Sequence, residues 1–248
     1  MVTRLSSPLP LPSPLPLPGG VGLSHLRAYE WEAVDGVCGG SPHVHLACTE
    51  AYVVTGGSGA VQTLSVEGGY REIPLREGVV AWFAPGTVHR MVPGEGGGAL
   101  RVTVLMENSG LPEAGDAVFT FPAEVLGDAG RYAEAAVRPW DEGAARRRRD
   151  LAVEGYLGLR EALRAGDVGP YRDFLRAAAG LVRDRVPEWR ELWEAGAAAA
   201  ARRTGERLDA LGVGDVRYLE GAGVWEAEPS RRDGLGMCGR RDSYELPV

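Results

Sequence analysis

Two kinds of hydrophobic periodicity divide the chain. Between residues 21 and 106, short runs alternate apolar and polar residues, and glycine-rich turns such as TGGSG and EGGYRE separate them. Residues two apart on a strand share a face, so this alternation predicts half-buried strands. Many short strands joined by glycine turns are typical of a sandwich or barrel. The pattern therefore predicts a mainly β fold, a barrel over residues 21–125.

Beyond residue 126 the apolar residues recur at helical spacing. The first long helix places four of them on roughly one face: Leu151, Tyr156, Leu159 and Leu163. A second helix follows, and Pro187 suits the first turn of a third, which ends at Gly212. A shorter helix is predicted near residues 128–136. These elements make residues 126–215 an α-helical region, which we expect either to cover the barrel as a lid or to form a dimer interface.

The two ends of the sequence follow neither period. Residues 1–20 alternate leucine and proline, which favours an extended polyproline II arm and argues against a signal peptide or a membrane span. We interpret this segment as a loose tail, with an arm that packs on a neighbouring subunit as the alternative. Residues 216–248 are rich in glycine, aromatic and charged residues, and we predict an irregular C-terminal tail.

Composition narrows the function classes. The chain has 248 residues, of which 44% are hydrophobic, enough to form a sizeable core. A net charge of -7 argues against a general nucleic-acid-binding surface. All 27 basic residues are arginine, so no lysine can form a Schiff base. Such a bias is typical of proteins from GC-rich genomes, and we expect a bacterial source. We expect a small-molecule substrate, with no nucleic-acid partner and no membrane association.

Cysteine use indicates the compartment. The three cysteines are Cys38, Cys48 and Cys238, and none forms a CxxC pair. An odd number without such spacing argues against a disulfide framework, so we expect a reducing cytoplasm.

The densest charge run is Arg146 to Arg149. We interpret it as a solvated helix start or loop, since charge runs are usually solvent-facing. A clamp for an anionic ligand or phosphate is the alternative.

Three of the four histidines lie where strands are predicted to converge. His43 and His45 are two apart in SPHVHLACTE and so share a face of one strand. A turn follows, and Glu50 begins the next strand beside them. His89 comes after the turn Pro85-Gly86 at the mouth of another strand. Imidazole and carboxylate groups that converge in this way suit a divalent metal ion.

These residues resemble the two motifs of the cupins. The first motif, His-x-His-x4-Glu-x6-Gly, matches His43, His45, Glu50 and Gly57. The second, Gly-x5-Pro-x-Gly-x2-His, matches a segment from Gly78 to His89. Three positions depart from the family pattern without touching a ligand: the leading glycine of the first motif is out of register, Ala84 replaces a proline, and Pro93 replaces an asparagine.

The resemblance covers about a quarter of the chain, and it implies both fold and chemistry. It implies a double-stranded β-helix, or jelly roll, with His43, His45, Glu50 and His89 as metal ligands inside. Dimers are common in the family, so a homodimer is a possible assembly. The helices and the tail lie outside the resemblance.

Strand parity identifies neighbours of the expected site. If Glu50 points inward, so does Tyr52, and if His89 does, so does Met91. Tyr52 and Glu50 are the candidate catalytic residues; a phenol beside a metal can act as acid or base, and a core tyrosine is the alternative. We interpret Cys48 as a small buried residue rather than a ligand, and we expect Cys238 to lie away from the site because only a folded-back tail would bring it there. The facing of four further barrel residues is left open: Gln62, Trp82, Phe83 and Thr103.

The implied site leaves three functions open. With Fe or Cu, we expect a dioxygenase-type enzyme that cleaves a small oxygen-rich metabolite. With Mn, Ni or Zn, the alternative is a non-redox sugar isomerase, epimerase or lyase. The third hypothesis is a non-catalytic cupin that binds a small molecule.

Overall fold

A computed structural model describes residues 16–95 and 99–247, so residues 1–15 of the predicted N-terminal arm lie outside the described part. The described strands are β1 (Gly22–Ala28), β2 (His43–His45), β3 (Glu50–Gly56), β4 (Ser58–Ser65), β5 (Gly69–Arg76), β6 (Val80–Phe83), β7 (Val88–Pro93), β8 (Arg101–Met106), β9 (Ala117–Phe119), β10 (Arg231–Leu235) and β11 (Gly239–Ser243).

The strands form two sheets that enclose the β core. One sheet has the order β10-β11-β1-β8-β3-β6, and the other has the order β5-β4-β7-β2-β9. The pairings between the described strands are antiparallel. Successive strands such as β2 and β3 lie in different sheets, so the chain winds back and forth between them. This architecture confirms the predicted jelly roll.

The central strands of the five-stranded sheet are buried on both faces. His43 and His45 on β2 face the barrel interior, whereas Val44 between them faces outward and is still fully buried. Val88 stands in the same relation to His89 on β7. A second layer must therefore cover the outer face of this sheet, and the helices provide it.

The described helices are α1 (Ala123–Leu126), α2 (Ala129–Ala135), α3 (Glu142–Arg164), α4 (Gly169–Val182), α5 (Val186–Ala195) and α6 (Ala197–Gly212). The predicted short helix is α2, whose N-cap Asp128 accepts hydrogen bonds from the backbone N–H groups of Gly130 and Arg131. The predicted third helix is two helices, because Gly196 adopts a non-helical conformation between α5 and α6. None of the helices in the described residues is long and apolar enough to cross a bilayer.

Helices α3 and α4 pack on the outer face of the five-stranded sheet rather than over a barrel opening. The Tyr171 hydroxyl of α4 accepts a hydrogen bond from the Val88 N–H at 3.1 Å and donates one to the Leu64 carbonyl at 2.7 Å. The Tyr156 hydroxyl of α3 donates to Gln62 Oε1 at 3.2 Å. Buried tyrosines thus connect the helical layer to β4 and β7, and this layer explains why those strands are apolar on their outer face.

The prediction of an irregular tail is wrong for residues 231–243. Strands β10 and β11 form an antiparallel hairpin, and β11 extends the six-stranded sheet by pairing with β1 from Ser24↔Ser243 to Ala28↔Gly239. The sequences RRDGL and GRRDS lack apolar alternation because this edge is held by backbone pairing and by ion pairs. Arg27, on β1, lies 2.8 Å from Asp233 and 3.2 Å from Asp242.

The interpretation of the arginine run as solvated is wrong for two of its members. Arg148 and Arg149 lie in the second turn of α3 and are buried. Arg149 donates hydrogen bonds to the carbonyls of Trp31 and Glu32, at 2.7 and 2.5 Å, so it fastens a loop of the barrel to the helix. The helical period turns these two side chains inward, a facing that a count of charges does not reveal.

Candidate metal centre

Three strands bring the four predicted ligands together. His43 on β2 and His89 on β7 are directly opposite each other in the antiparallel pairing. Glu50 begins β3 in the other sheet and faces them across the barrel, with Tyr52 and Val54 on the same side of its strand. The period-2 pattern of β2 and β3 thus predicted the inward facing of His43, His45 and Glu50 correctly.

The ligand atoms of the four side chains converge on one point. His43, His45, Glu50 and His89 are all buried and each offers one donor atom, with all four atoms within 4.8 Å of one another. The His43 and His89 Nε2 atoms are 3.1 Å apart. Glu50 Oε2 lies 3.0 Å from His89 Nε2 and 3.3 Å from His45 Nε2.

The other nitrogen of each ring fixes its orientation. His43 Nδ1 lies 2.9 Å from the Ser41 carbonyl, and His89 Nδ1 lies 3.2 Å from the Thr87 carbonyl. A carbonyl oxygen can only accept, so we assign the proton to Nδ1 in both rings. Nε2 then presents a lone pair to the centre, which is the tautomer that a metal ligand requires.

Asp116 performs the same task for His45, and sequence reasoning missed it. Its Oδ2 lies 3.0 Å from His45 Nδ1. This fully buried carboxylate also accepts hydrogen bonds from the backbone N–H groups of Leu46, Ala47 and Cys48. Asp116 is 71 residues from His45 and belongs to no motif, so only the fold reveals it.

Burial and charge act on the site in opposite directions. Burial, with help from the His89 and His45 rings, lowers the pKa of His43 well below its usual value. Burial also opposes charge on His45, but Asp116 and Glu50 outweigh it and raise the pKa of His45 to about 9. For Glu50 burial favours the neutral acid, yet His89 and His45 hold its pKa well below the usual range. The site therefore favours a positive charge beside Glu50.

The donor set fits a divalent metal ion. Glu50 Oε2 is buried and has no hydrogen-bond partner among the described residues, although it faces two imidazole nitrogens. A buried carboxylate oxygen in that position requires a cation or a proton. Three imidazoles and one carboxylate suit Fe, Mn, Ni, Zn or Cu, and the four side chains that could hold the ion are those predicted as ligands.

The C-terminal hairpin forms one wall of the site, contrary to expectation. Cys238, in the hairpin turn, lines the same small chamber as His43, His45 and Glu50. Gly40 permits this approach, because a Cβ there would lie 2.5 Å from the Cys238 Cα. Cys238 therefore lies at the site, and the expectation that it lies elsewhere is wrong.

Tyr52 faces the interior as parity predicted. Its hydroxyl lies 3.6 Å from Cys238 Sγ, and its ring meets those of Phe83 and His89 edge-on. Burial, together with Cys238 and Glu50, raises the pKa of Tyr52 well above its usual value. The structure therefore supports a protonated phenol at the edge of the site, and its catalytic role stays a prediction.

The remaining candidates fall outside the ligand set. Cys48 is buried, as predicted, and its N–H bonds Asp116. Phe83 faces the interior, while Trp82 beside it is 72% exposed. Gln62 faces the helical layer, and Thr103 bonds His25. Met91 is fully buried, as parity predicted.

The orientation of His45 by Asp116 gives a testable prediction. Replacing Asp116 with asparagine removes the acceptor charge, so we expect metal affinity to fall by about 10- to 100-fold, as for other partners of metal-bound histidines. Competition with a coloured chelator measures the change. Asp128→Asn, which alters an exposed helix cap far from the site, is the matched control. Equal affinity of Asp116→Asn and the wild type would contradict the assigned role.

Part of this chain is similar to several solved structures. No protein-family model and no curated protein sequence matches the chain. Among solved structures, it is similar to a predicted oxalate decarboxylase from Thermotoga maritima, with 16% identity, a TM-score of 0.28, and coverage of 34% of this chain and 64% of that one. A TDP-quinovose 3,4-ketoisomerase from Campylobacter jejuni has 13% identity, a TM-score of 0.28, and coverage of 34% and 60%.

A third similar structure is an uncharacterised protein with a double-stranded β-helix domain from Klebsiella pneumoniae. It has 18% identity and a TM-score of 0.26, with coverage of 36% of this chain and 69% of that one. Structural similarity at these scores says nothing about the activity of this chain. The jelly roll and the four residues at the two motif positions are properties of this chain itself. The chain therefore has a double-stranded β-helix fold with a His-His-Glu-His cluster inside it.

Proposed function

We propose that this chain is a metal-dependent cupin enzyme that acts on a small oxygen-rich metabolite by dioxygenase-type chemistry. The observation that carries the proposal is the convergence of three oriented Nε2 atoms and the unpartnered Glu50 Oε2 in one buried chamber. These four atoms would hold the metal. When bound, iron or copper supplies positions at which oxygen and a chelating substrate meet.

The chamber is small and partly apolar, which favours a small substrate. The chamber has a volume of about 100 Å³, and its walls include the apolar side chains of Leu26, Val104 and Met106. An apolar wall beside buried ligands lowers the local dielectric and strengthens electrostatic interactions within the site. The residues of the barrel would therefore position a small polar molecule against the ligand set.

Cys238 on the chamber wall and Tyr52, whose hydroxyl lies 3.6 Å from Cys238 Sγ, favour oxidation over proton abstraction. Burial raises the pKa of the Cys238 thiol to about 12, and the pKa of Tyr52 is raised well above its usual value. Both groups therefore keep their protons near pH 7 and act as hydrogen-bond donors rather than bases. A dioxygenase places both atoms of O₂ in the product, so it needs no external reductant and less proton transfer than an isomerase.

One observation favours the second candidate, a non-redox isomerase or lyase. Glu113 lines the chamber and is exposed, so its carboxylate can reach a substrate from the solvent side. A carboxylate in that place is a suitable base for removing a proton beside a carbonyl group.

Oxygen uptake distinguishes the two candidates. Protein loaded separately with Fe, Cu, Mn, Ni and Zn is mixed with three chelating probes: a catechol, an α-hydroxy ketone and an α-keto acid. We expect oxygen consumption that matches probe loss with Fe or Cu, and a fall of at least about 100-fold in Glu50→Gln, because a ligand is lost. The same reactions in D₂O report proton abstraction.

Each outcome assigns a function. Incorporation of deuterium without oxygen uptake, lost in Glu113→Gln, would replace the dioxygenase proposal with an isomerase or lyase. Saturable binding of a probe to metal-loaded protein without either reaction would indicate a binding protein.

A further inference from the structure

A second cavity opens beside the metal chamber. It has a volume of about 260 Å³ and lies between the C-terminal hairpin, the start of α3 and the loop before β9. Three arginines line it: Arg138, Arg148 and Arg241. The two cavities share Met237 and Arg241 on the hairpin, and Pro112 and Glu113 on the opposite side. The two cavities therefore adjoin each other at these four residues.

Two of these guanidinium groups have no partner in the part of the chain that the structure describes. Within the described residues, neither Arg138 nor Arg241 makes a side-chain hydrogen bond or an ion pair. Other arginines on the hairpin that carries Arg241 do have partners. Arg232 pairs with Glu228, and Arg240 pairs with Asp233 and Glu142. Carboxylates are thus available along this edge, yet Arg241 pairs with none of them among the described residues.

The third arginine is a buried cation. Arg148 is 8% exposed, and its Nε has no hydrogen-bond partner among the described residues. Its remaining contacts are neutral: its guanidinium donates to the Gly236 carbonyl at 2.9 Å and to the Val137 carbonyl at 3.5 Å, and it stands 4.9 Å from the centre of the Phe119 ring. A buried charge without a counter-charge is unfavourable, so a negative ligand beside it would be bound strongly.

The positive charges of the cavity arginines lie close enough to repel one another. Burial, together with Arg231 and Arg241, lowers the pKa of Arg138. Burial also lowers the pKa of Arg148, and Arg138 contributes to that shift. Among the described residues, the one carboxylate on the cavity wall is Glu113, which is exposed and accepts a hydrogen bond from the Gly110 N–H. The cavity is therefore positive in a chain whose net charge is -7.

We propose that this cavity, with Arg138, Arg148 and Arg241 on its wall, binds a carboxylate or phosphate group of the substrate. The adjacent metal chamber then receives the oxygen-rich end of the same molecule, so the inference rests on the proposed function. Guanidinium groups suit both anions, because their planar N–H pairs match two oxygens of either group. The substrate class is accordingly a small anionic metabolite with a chelating end.

Anion binding to metal-free protein tests the cavity separately from the metal site. The full chain is stripped with a chelator and titrated with inorganic phosphate and, in a second arm, with succinate, at low ionic strength. Calorimetry gives the affinities, and the arm that binds more tightly identifies the anion. We expect saturable binding that Arg241→Gln weakens by about tenfold or more, the range for a charge-assisted hydrogen bond. Arg232→Gln removes the same charge from the same hairpin and should bind as the wild type does.

Two further variants complete the experiment. Glu113→Gln removes the negative charge from the wall, so the anion should bind more tightly. His45→Ala disables the metal site and should leave anion binding unchanged, which separates a failure of the proposed function from a failure of this inference. Absence of saturable binding in both arms, or equal affinities in Arg241→Gln and the wild type, would overturn the anion site.

Discussion

Loading the metal site is expected to raise the melting temperature by about 10 °C. A ligand that binds only the folded state, at about 1,000 times its Kd, adds about 4 kcal/mol to the free energy of unfolding. For a chain of this size, each kcal/mol shifts the melting temperature by about 2–4 °C. The folded state holds the four ligand atoms within 4.8 Å of one another, whereas an unfolded chain does not.

Thermal unfolding with and without a chelator measures this shift. Glu50→Gln keeps the size of the side chain but removes its charge, so most of the shift should disappear. His25→Ala is the matched control, because His25 bonds Thr103 and does not belong to the ligand set. A shift of the same size in Glu50→Gln would mean that the metal binds elsewhere.

Replacing Asp35 with alanine is expected to lower the free energy of unfolding by about 3–5 kcal/mol, because it leaves a buried charge without its partner. Arg90, on the outer face of β7, is 0% exposed. It donates to the two Asp35 oxygens at 2.6 and 3.2 Å and to the Val37 carbonyl at 2.9 Å. This pair fastens the loop between β1 and β2, which leads directly to His43.

Urea denaturation of wild type and variant measures the loss. Asp173→Ala breaks an exposed pair with Arg176 and should change stability by no more than about 1 kcal/mol. The pH dependence gives a second measurement. Burial would raise the pKa of Asp35, but Arg90 outweighs it and lowers the pKa. The stabilisation is therefore fully present above about pH 4, which is the pKa of an aspartate in the unfolded chain, and it declines as the pH falls below that value. Equal losses in Asp35→Ala and Asp173→Ala would contradict the assigned role of the pair.

The ligand set was predictable from sequence because its geometry is local. In a strand, alternate residues share a face, so the spacing of His43, His45 and Glu50 nearly determines their convergence once the strands are recognised. The jelly roll followed from the same alternation and from the two motifs. Tyr52 and Met91 were predicted to face inward for the same reason, and both do.

What the sequence did not reveal depends on contacts between distant segments. Asp116 meets His45 only because β9 pairs with β2. Arg241 and Cys238 reach the site only because β11 pairs with β1, and that pairing uses backbone groups that any sequence possesses. The facing of Arg148 depends on the register of α3 against the barrel. In each case the determining partner lies tens of residues away, beyond the range of a periodic pattern.

The central claim, that this chain binds a metal through His43, His45, Glu50 and His89, is tested most directly by metal content. Wild type and His45→Ala are purified without added metal or a histidine tag and analysed by inductively coupled plasma mass spectrometry. We expect near-stoichiometric Fe, Mn, Ni, Zn or Cu in the wild type and its loss in the variant. A wild type that contains no metal, and takes up none when each ion is offered, would contradict the claim.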